Sequence, residues 1–360
     1  MYIGIPKEIR PFEYRVGMSP AGVEILCHNG HQVFVEHDAG VGAGFKDHEY
    51  EKSGARIAYS AEEVFARADF ILKISRPLKQ EMEWIKDGAI VAGFLHLASS
   101  SQDQIDLFLG KKITALAYGQ VTDADGGLPV LRPFSVMGGA MLSSIAARLL
   151  QNNHGGKGIS LSGLAGVPPA EIVIIGGGVV GSSATRYLLA AGAHVTVIDK
   201  NLAVLERLEE RFPHVVTLIS TKRNIERATA FADVVIGAVL VPGQRAPIVV
   251  TRQMVQAMKS RSVIIDVSID EGGCIETSRP TTHEYPTYVE EGMVHYCVPN
   301  ISGVVARSAS HVILNSALPY ILEVANHGIE QAMQNPSISN SINTHNGKLV
   351  NLVRLSPKEG

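Results

Sequence analysis

The run Glu171-Ile172-Val173-Ile174-Ile175-Gly176-Gly177-Gly178-Val179-Val180-Gly181, followed by His194-Val195-Thr196-Val197-Ile198 and then Asp199, constrains the fold more than any other part of the chain. It reads as a strand, a glycine turn, a helix and a second strand. Gly176, Gly178 and Gly181 allow a tight turn and let the backbone approach a pyrophosphate, which then rests on amides at the helix N-terminus around Val179 and Val180. Asp199, about twenty residues further on, is placed to accept both ribose hydroxyls. Its charge repels a 2′-phosphate, so NAD is favoured over NADP. A lone Gly-x-Gly-x-x-Gly is often only a tight loop, but here strand, helix and acid all stand in the context the motif requires.

At 360 residues the chain is long for one core and implies two domains. A formal net charge of -3 and the lack of a Lys/Arg run argue against nucleic acid or an anionic membrane as partner, leaving a small-molecule substrate. Met1 to Pro6 reads directly as a strand with no signal peptide, and no apolar stretch is long enough to span a bilayer, so a cytoplasmic location is expected. Cys27, Cys274 and Cys297 are scattered, which fits reduced thiols better than a disulfide frame or a zinc site, and no metal is expected.

Short apolar runs at Ile3 to Ile5, His31 to Glu36, Phe70 to Ile74, Ala89 to Phe94 and Ile113 to Ala117 read as buried strands, with helices over Pro20 to Asn29 and Ala61 to Ala68. A long helix is expected from Ser135 to Asn152. A second βαβ series follows from Ile172, through Val195 to Ile198, Val215 to Ile219, Val234 to Ala238 and Val263 to Val267, and a further helix spans His311 to Asn326. The fold class is therefore α/β, with two Rossmann-like domains whose parallel sheets flank a central crevice. Residues 1–130 with 305–360 form the expected substrate domain, and 131–304 the NAD-binding domain.

Several ordered blocks carry a family likeness. Gly4-Ile5-Pro6-Lys7-Glu8, Glu13-Tyr14-Arg15-Val16, Ser19-Pro20-Ala21-Gly22-Val23, Phe94-Leu95-His96-Leu97-Ala98, Ile236 to Gly243, Asp266 to Cys274 and Ser278 to Thr282 resemble motifs of the alanine dehydrogenases. These enzymes share their fold with the proton-translocating nicotinamide nucleotide transhydrogenases. The resemblance implies NAD-dependent deamination of L-alanine to pyruvate and ammonia, or the reverse. Arg15 offers a planar fork for the substrate carboxylate, and the resemblance makes it the anchor. His96 follows an apolar strand, where ligands meet open α/β sheets, and by resemblance it is the acid/base. Asp270 is implied to orient water or the amino group. Ser135, Val239, Leu240, Ile269 and Asn300 are implied to surround the nicotinamide end of the cofactor, and a homo-oligomer, hexamer or dimer, is implied as well.

The chain departs from the family at informative places. Where the family usually has Lys-x-Lys-x-Pro, it reads Lys73-Ile74-Ser75-Arg76-Pro77, and Gly119 stands where a glutamate is usual. Lys73 is expected to compensate for the cation missing at Ser75, because residues i and i+2 of a strand share a face. Other readings are a same-fold dehydrogenase or imine reductase acting on a different 2-amino or 2-oxo acid, and a non-catalytic NAD-binding regulator. A transhydrogenase is disfavoured, since hydride transfer between nucleotides needs no substrate base at His96.

Overall fold

The computed structural model describes residues 1–241 and 245–352. Pro242 and Gly243 of the motif beginning at Ile236, and the end of the chain from Val353, lie outside the described residues. The described residues divide into two compact units, Met1–Phe134 with residues 302–352, and Ser135–Ile301.

In chain order the strands are β1 (Tyr2–Ile5), β2 (Gln32–Glu36), β3 (Arg56–Ala58), β4 (Phe70–Ser75), β5 (Ile90–Phe94), β6 (Thr114–Ala117), β7 (Glu171–Ile175), β8 (His194–Asp199), β9 (Val216–Ile219), β10 (Val234–Gly237), β11 (Val263–Asp266), β12 (Thr287–Glu290), β13 (Met293–Tyr296), β14 (Ile342–His345) and β15 (Lys348–Leu349). The first unit holds an eight-stranded sheet in the order β15-β14-β6-β5-β4-β1-β2-β3. Its six-strand body is parallel, and the β14–β15 hairpin closes it antiparallel to β6. The second unit holds a seven-stranded sheet, β12-β13-β11-β10-β7-β8-β9, parallel except for β12. Each body runs outward in both directions from its first strand, so each has a switch point, between β1 and β4 and between β7 and β10. Ligands of such sheets bind outside the strands' carboxyl ends at that point.

Continuous apolar strands are explained by cover on both faces. In the second unit Ile172, Ile174, Ile236, Val263 and Ile265 pack into one cluster, while Val173, Ile175, Val235 and Ile264 pack into another. The alternation is the two-residue period of a strand read from both sides. In the first unit Phe65, Ile71, Val91, Phe108 and Ala115 form part of a buried cluster.

Two boundaries differ from the sequence reading. The long helix runs over Leu131–Leu149 rather than from Ser135. Pro133 sits in its first turn, where no intrahelical N–H is needed, so the proline does not delay the start. The later helix spans Ala306–His327 with Pro319 inside it.

Candidate functional site

In the first unit Arg15 and His96 follow β1 and β5 at their carboxyl ends, and Lys73 and Ser75 lie at the carboxyl end of β4 itself, beside the switch point. Arg15 is 4% exposed, and the Glu13 carboxylate accepts from its Nε at 2.7 Å and from its Nη2 at 2.6 Å. Nη1 reaches Ser302 Oγ at 3.4 Å. Glu13 thus grips one edge of the guanidinium and fixes its plane, and the Nη1–Nη2 edge, with Nη1 turned to Ser302, is the one that Glu13 leaves open. The Phe134 ring lies 5.8 Å from the Arg15 guanidinium carbon, and Phe94 packs edge-on against both Phe134 and Tyr118. This aromatic wall was not read from the sequence, where isolated aromatics carry no spacing signal. A Cβ added at Gly119 would meet only Phe94 Cδ1, at 3.9 Å, so that position leaves room beside the wall.

His96 follows β5 with φ 44°, a left-handed conformation that a non-glycine residue adopts at a cost. Burial and then the charges of Arg76, Arg15 and Arg10 lower its pKa to about 4. The residue nonetheless keeps an exposed surface, so the burial contribution is moderated by solvent. The three guanidiniums act in the same direction as burial and favour the neutral imidazole.

Lys73 does not take the role expected of it. It is 1% exposed, its Nζ donates to Glu81 Oε1 at 2.8 Å, and it pairs with Glu8 Oε2 at 3.3 Å. Burial pulls its pKa down, but Glu8 and Glu81 outweigh burial and raise it. The i, i+2 argument fails because the β4–β5 register shifts between Leu72 and Ser75. Lys73 faces the interior, and Ser75 instead donates from Oγ to Glu13 Oε2 at 3.2 Å. Ser75 therefore supports the carboxylate that fixes Arg15.

In the second unit the glycine turn leaves β7. Gly176 has φ +105°, and a Cβ there would meet the Ala238 carbonyl oxygen at 2.3 Å. A Cβ on Gly181 would lie 1.9 Å from the Gly176 carbonyl oxygen. Gly178 caps the helix Val179–Ala190, and a Cβ there would meet open space. The amides at Val179 and Val180 thus head a helix whose approach is clear, which fits a pyrophosphate. Asp199 Oδ2 accepts from the Gly177 amide at 2.7 Å and Oδ1 from the Asn201 amide at 2.8 Å. The carboxylate is tied to the glycine turn.

The turn after β11 was only partly legible. Asp266, 1% exposed, accepts from the amides of Ser268, Cys274 and Ile275, and Ser268 Oγ accepts from the Val239 amide at 2.9 Å. An acid ending an apolar strand was its sequence signal. This chain of bonds fixes Val239 and leads to Ile269, buried, and Asp270, exposed. Asp270 Oδ1 accepts from the Asn300 amide at 3.2 Å, and Asn300 has φ 54°. Ser135 is half-buried in its helix and Leu240 is exposed. Glu271, which sequence reading passed over, has its pKa raised to about 7 by burial and by Asp270. Elsewhere, His37, Asp38 and Asp47 each offer a ligand atom within 4.8 Å of the others, but His37 and Asp47 already bond each other at the surface.

Comparison with known proteins adds the following. The model of the alanine dehydrogenase/PNT N-terminal domain matches residues 4–137, and that of the C-terminal domain matches 143–352. An alanine dehydrogenase of Methanococcus maripaludis is 46% identical over 352 residues, covering 97% of this chain and 94% of that relative. A solved L-alanine dehydrogenase superposes with a TM-score of 0.92 at 41% identity, covering 97% of each chain. A transhydrogenase from Sinorhizobium meliloti superposes with a TM-score of 0.82 at 27% identity over 97% of this chain and 99% of its own.

Proposed function

This chain belongs to the alanine dehydrogenase/PNT family, and from that premise we propose that it is an NAD-dependent oxidoreductase interconverting L-alanine with pyruvate and ammonia. The observation that carries the reading is the placement of Arg15 and His96 on the turns leaving β1 and β5, at the carboxyl ends of the first sheet. Hydride exchange between two nucleotides needs no substrate base at His96, whereas handling an amino acid gives both residues a role. When bound, NAD supplies the hydride acceptor, held by the Gly176 to Gly181 turn with Asp199 on its ribose. Arg15 receives the substrate carboxylate on its Nη1–Nη2 edge and fixes Cα. His96, neutral, takes the proton from the water that attacks the Cα=N bond and passes it to the departing nitrogen. Asp270 orients that water or the amino group and balances the cationic charge. The balance is one amino acid, one NAD⁺ and one water giving one 2-oxo acid, ammonium, NADH and a proton.

We further propose a cytoplasmic homo-oligomer, with the substrate held by the first unit and the cofactor by the second. No helix among the described residues is long and apolar enough to cross a membrane, and Cys27, Cys274 and Cys297 are free thiols. The helix Leu131–Leu149 supports assembly. Its residues Ala140, Ser143 and Ala147 line a groove with Tyr187, small side chains of the kind that admit a neighbouring helix.

The test is NADH formation from L-alanine at alkaline pH, and its consumption with pyruvate and ammonium. Turnover in both directions, reduced by about 10²–10⁴ in His96→Asn, supports the reading. NADH binding without turnover on any amino acid moves the chain to the non-catalytic reading.

A further inference from the structure

Two arginines beside His96 have no anionic partner among the described residues. Arg76, on the turn leaving β4, donates from Nη1 to the carbonyls of Leu95 at 3.2 Å and His96 at 3.0 Å and to Ser100 Oγ at 2.6 Å. Those bonds lock one corner of the guanidinium against the His96 turn. The opposite Nε–Nη2 edge is the fork that grips a carboxylate bidentately, and its Nε is buried with no hydrogen-bond partner. Arg10, on the turn leaving β1, donates from Nη2 to the Arg76 carbonyl oxygen at 3.0 Å, and its Nε is likewise buried and unpartnered.

Arg15 differs from both, because Glu13 neutralises it. Glu8 and Glu81, the other acids in this region, are both spent on Lys73, and Glu8 also accepts from the amides of Ile74 and Ser75. Four cations, Arg10, Arg15, Lys73 and Arg76, thus stand against three bonded carboxylates, Glu8, Glu13 and Glu81, an excess of one, and none of those three bonds Arg10 or Arg76. Two like charges held together and partly desolvated repel each other, and burial with the Arg10 charge lowers the Arg76 pKa to about 10. An arrangement of this kind is relieved by an anion that reaches the two unpartnered Nε groups.

L-Alanine brings one carboxylate, which Arg15 accounts for in the reading above. We propose that Arg10 and Arg76 form a second anion subsite beside His96, through which the enzyme accepts amino acids and 2-oxo acids whose side chain ends in a carboxylate. The inference rests on the dehydrogenase reading for its chemistry, which is the same deamination at Cα. It adds only the group that anchors the far end of the substrate. The room at Gly119 beside Phe94 is consistent with a side chain longer than methyl.

The experiment compares kcat/KM for L-aspartate and L-glutamate with their amides, L-asparagine and L-glutamine, and with L-alanine. The expected result is that one acid exceeds its own amide by about ten-fold or more, and that this ratio collapses toward one in Arg76→Gln and in Arg10→Gln. Each amide serves as an internal standard, so partial misfolding of a variant lowers both members of a pair and leaves the ratio readable. An acid no better than its amide in the wild type, or a ratio the variants leave unchanged, overturns the subsite.

Calorimetry of glutarate against butyrate, on the enzyme with NADH, reads the same subsite without turnover. Tighter glutarate binding that both variants abolish upholds it even where no amino acid is oxidised, an outcome that would count against the dehydrogenase reading alone. Equal binding of the two acids overturns the subsite while leaving alanine turnover to decide the dehydrogenase reading.

Discussion

His96 shows how one side chain is tuned by its neighbours more than by its own chemistry. Its burial and three nearby guanidiniums favour the neutral ring, the form needed to take a proton from water. Followed by NMR, with His96→Asn to assign the signal, its imidazole is expected to titrate below the ordinary value of about 6.5. Arg76→Gln removes one of the opposing charges, so the midpoint must move upward; an unchanged midpoint would show that Arg76 does not act on the ring. Lys73 is the converse case, a charge whose whole environment is structural. Lys73→Met strands Glu8 and Glu81 in the interior and is expected to cost about 3–5 kcal/mol in urea unfolding. Arg15 and His96 were legible in the sequence because each sits in a recognisable block. The orientation of Lys73 was not, since a strand's alternation holds only while its register does, and the β4–β5 pairing shifts beside it.

At the scale of elements, the turn from β7 into its helix is the part most tightly bound to function. The Gly181 Cα lies where any side chain would strike the Gly176 carbonyl. Gly181→Ala must push the helix Val179–Ala190 off the sheet, with an expected loss of about 1–3 kcal/mol in stability. The same displacement moves the helix N-terminus, so NADH affinity measured by fluorescence is expected to fall by more than about ten-fold. Retained affinity in a destabilised variant would separate packing from phosphate binding and count against the cradle. This element was readable because glycine spacing, apolar strands and Asp199 all point one way. The β14–β15 hairpin offered no such agreement. Ser341, Asn343 and Thr344 are fully or almost fully buried there, so the polar tail gives no hydrophobic alternation. Its place comes from pairing instead: Thr344 Oγ1 donates to the Ile113 carbonyl at 2.8 Å, and Asn343 donates to Gln120 Oε1 at 2.5 Å.

Over the whole molecule, stability against pH is set by groups whose burial opposes their charge, and the two kinds present act in opposite directions. His295 is fully buried, with its Nδ1 at 3.1 Å from the Met293 carbonyl and its Nε2 at 2.7 Å from Thr277 Oγ1. Burial lowers its pKa, so the unfolded chain binds a proton more readily and stability falls as pH drops below about 6.5. Glu271 works the other way. Its folded pKa stands near 7, above the unfolded value of 4.5, so the folded state binds the proton more readily between those two values. Its burden is absent below the unfolded value, grows as pH rises through that window and is complete above about 7. Glu271→Gln removes the burden, and its urea midpoint is expected to exceed that of the wild type at pH 8, by a free energy of about 1–3 kcal/mol, with little difference near pH 4.5. A gain of equal size at both pH values would mean that Gln packs better, and no gain at pH 8 would mean that the carboxylate is not held out of water. Glu271 adjoins Asp270 on the turn leaving β11, so a carboxylate kept there at a cost in stability ties that cost to the segment proposed to handle the amino group, as stability and activity trade against each other at working sites.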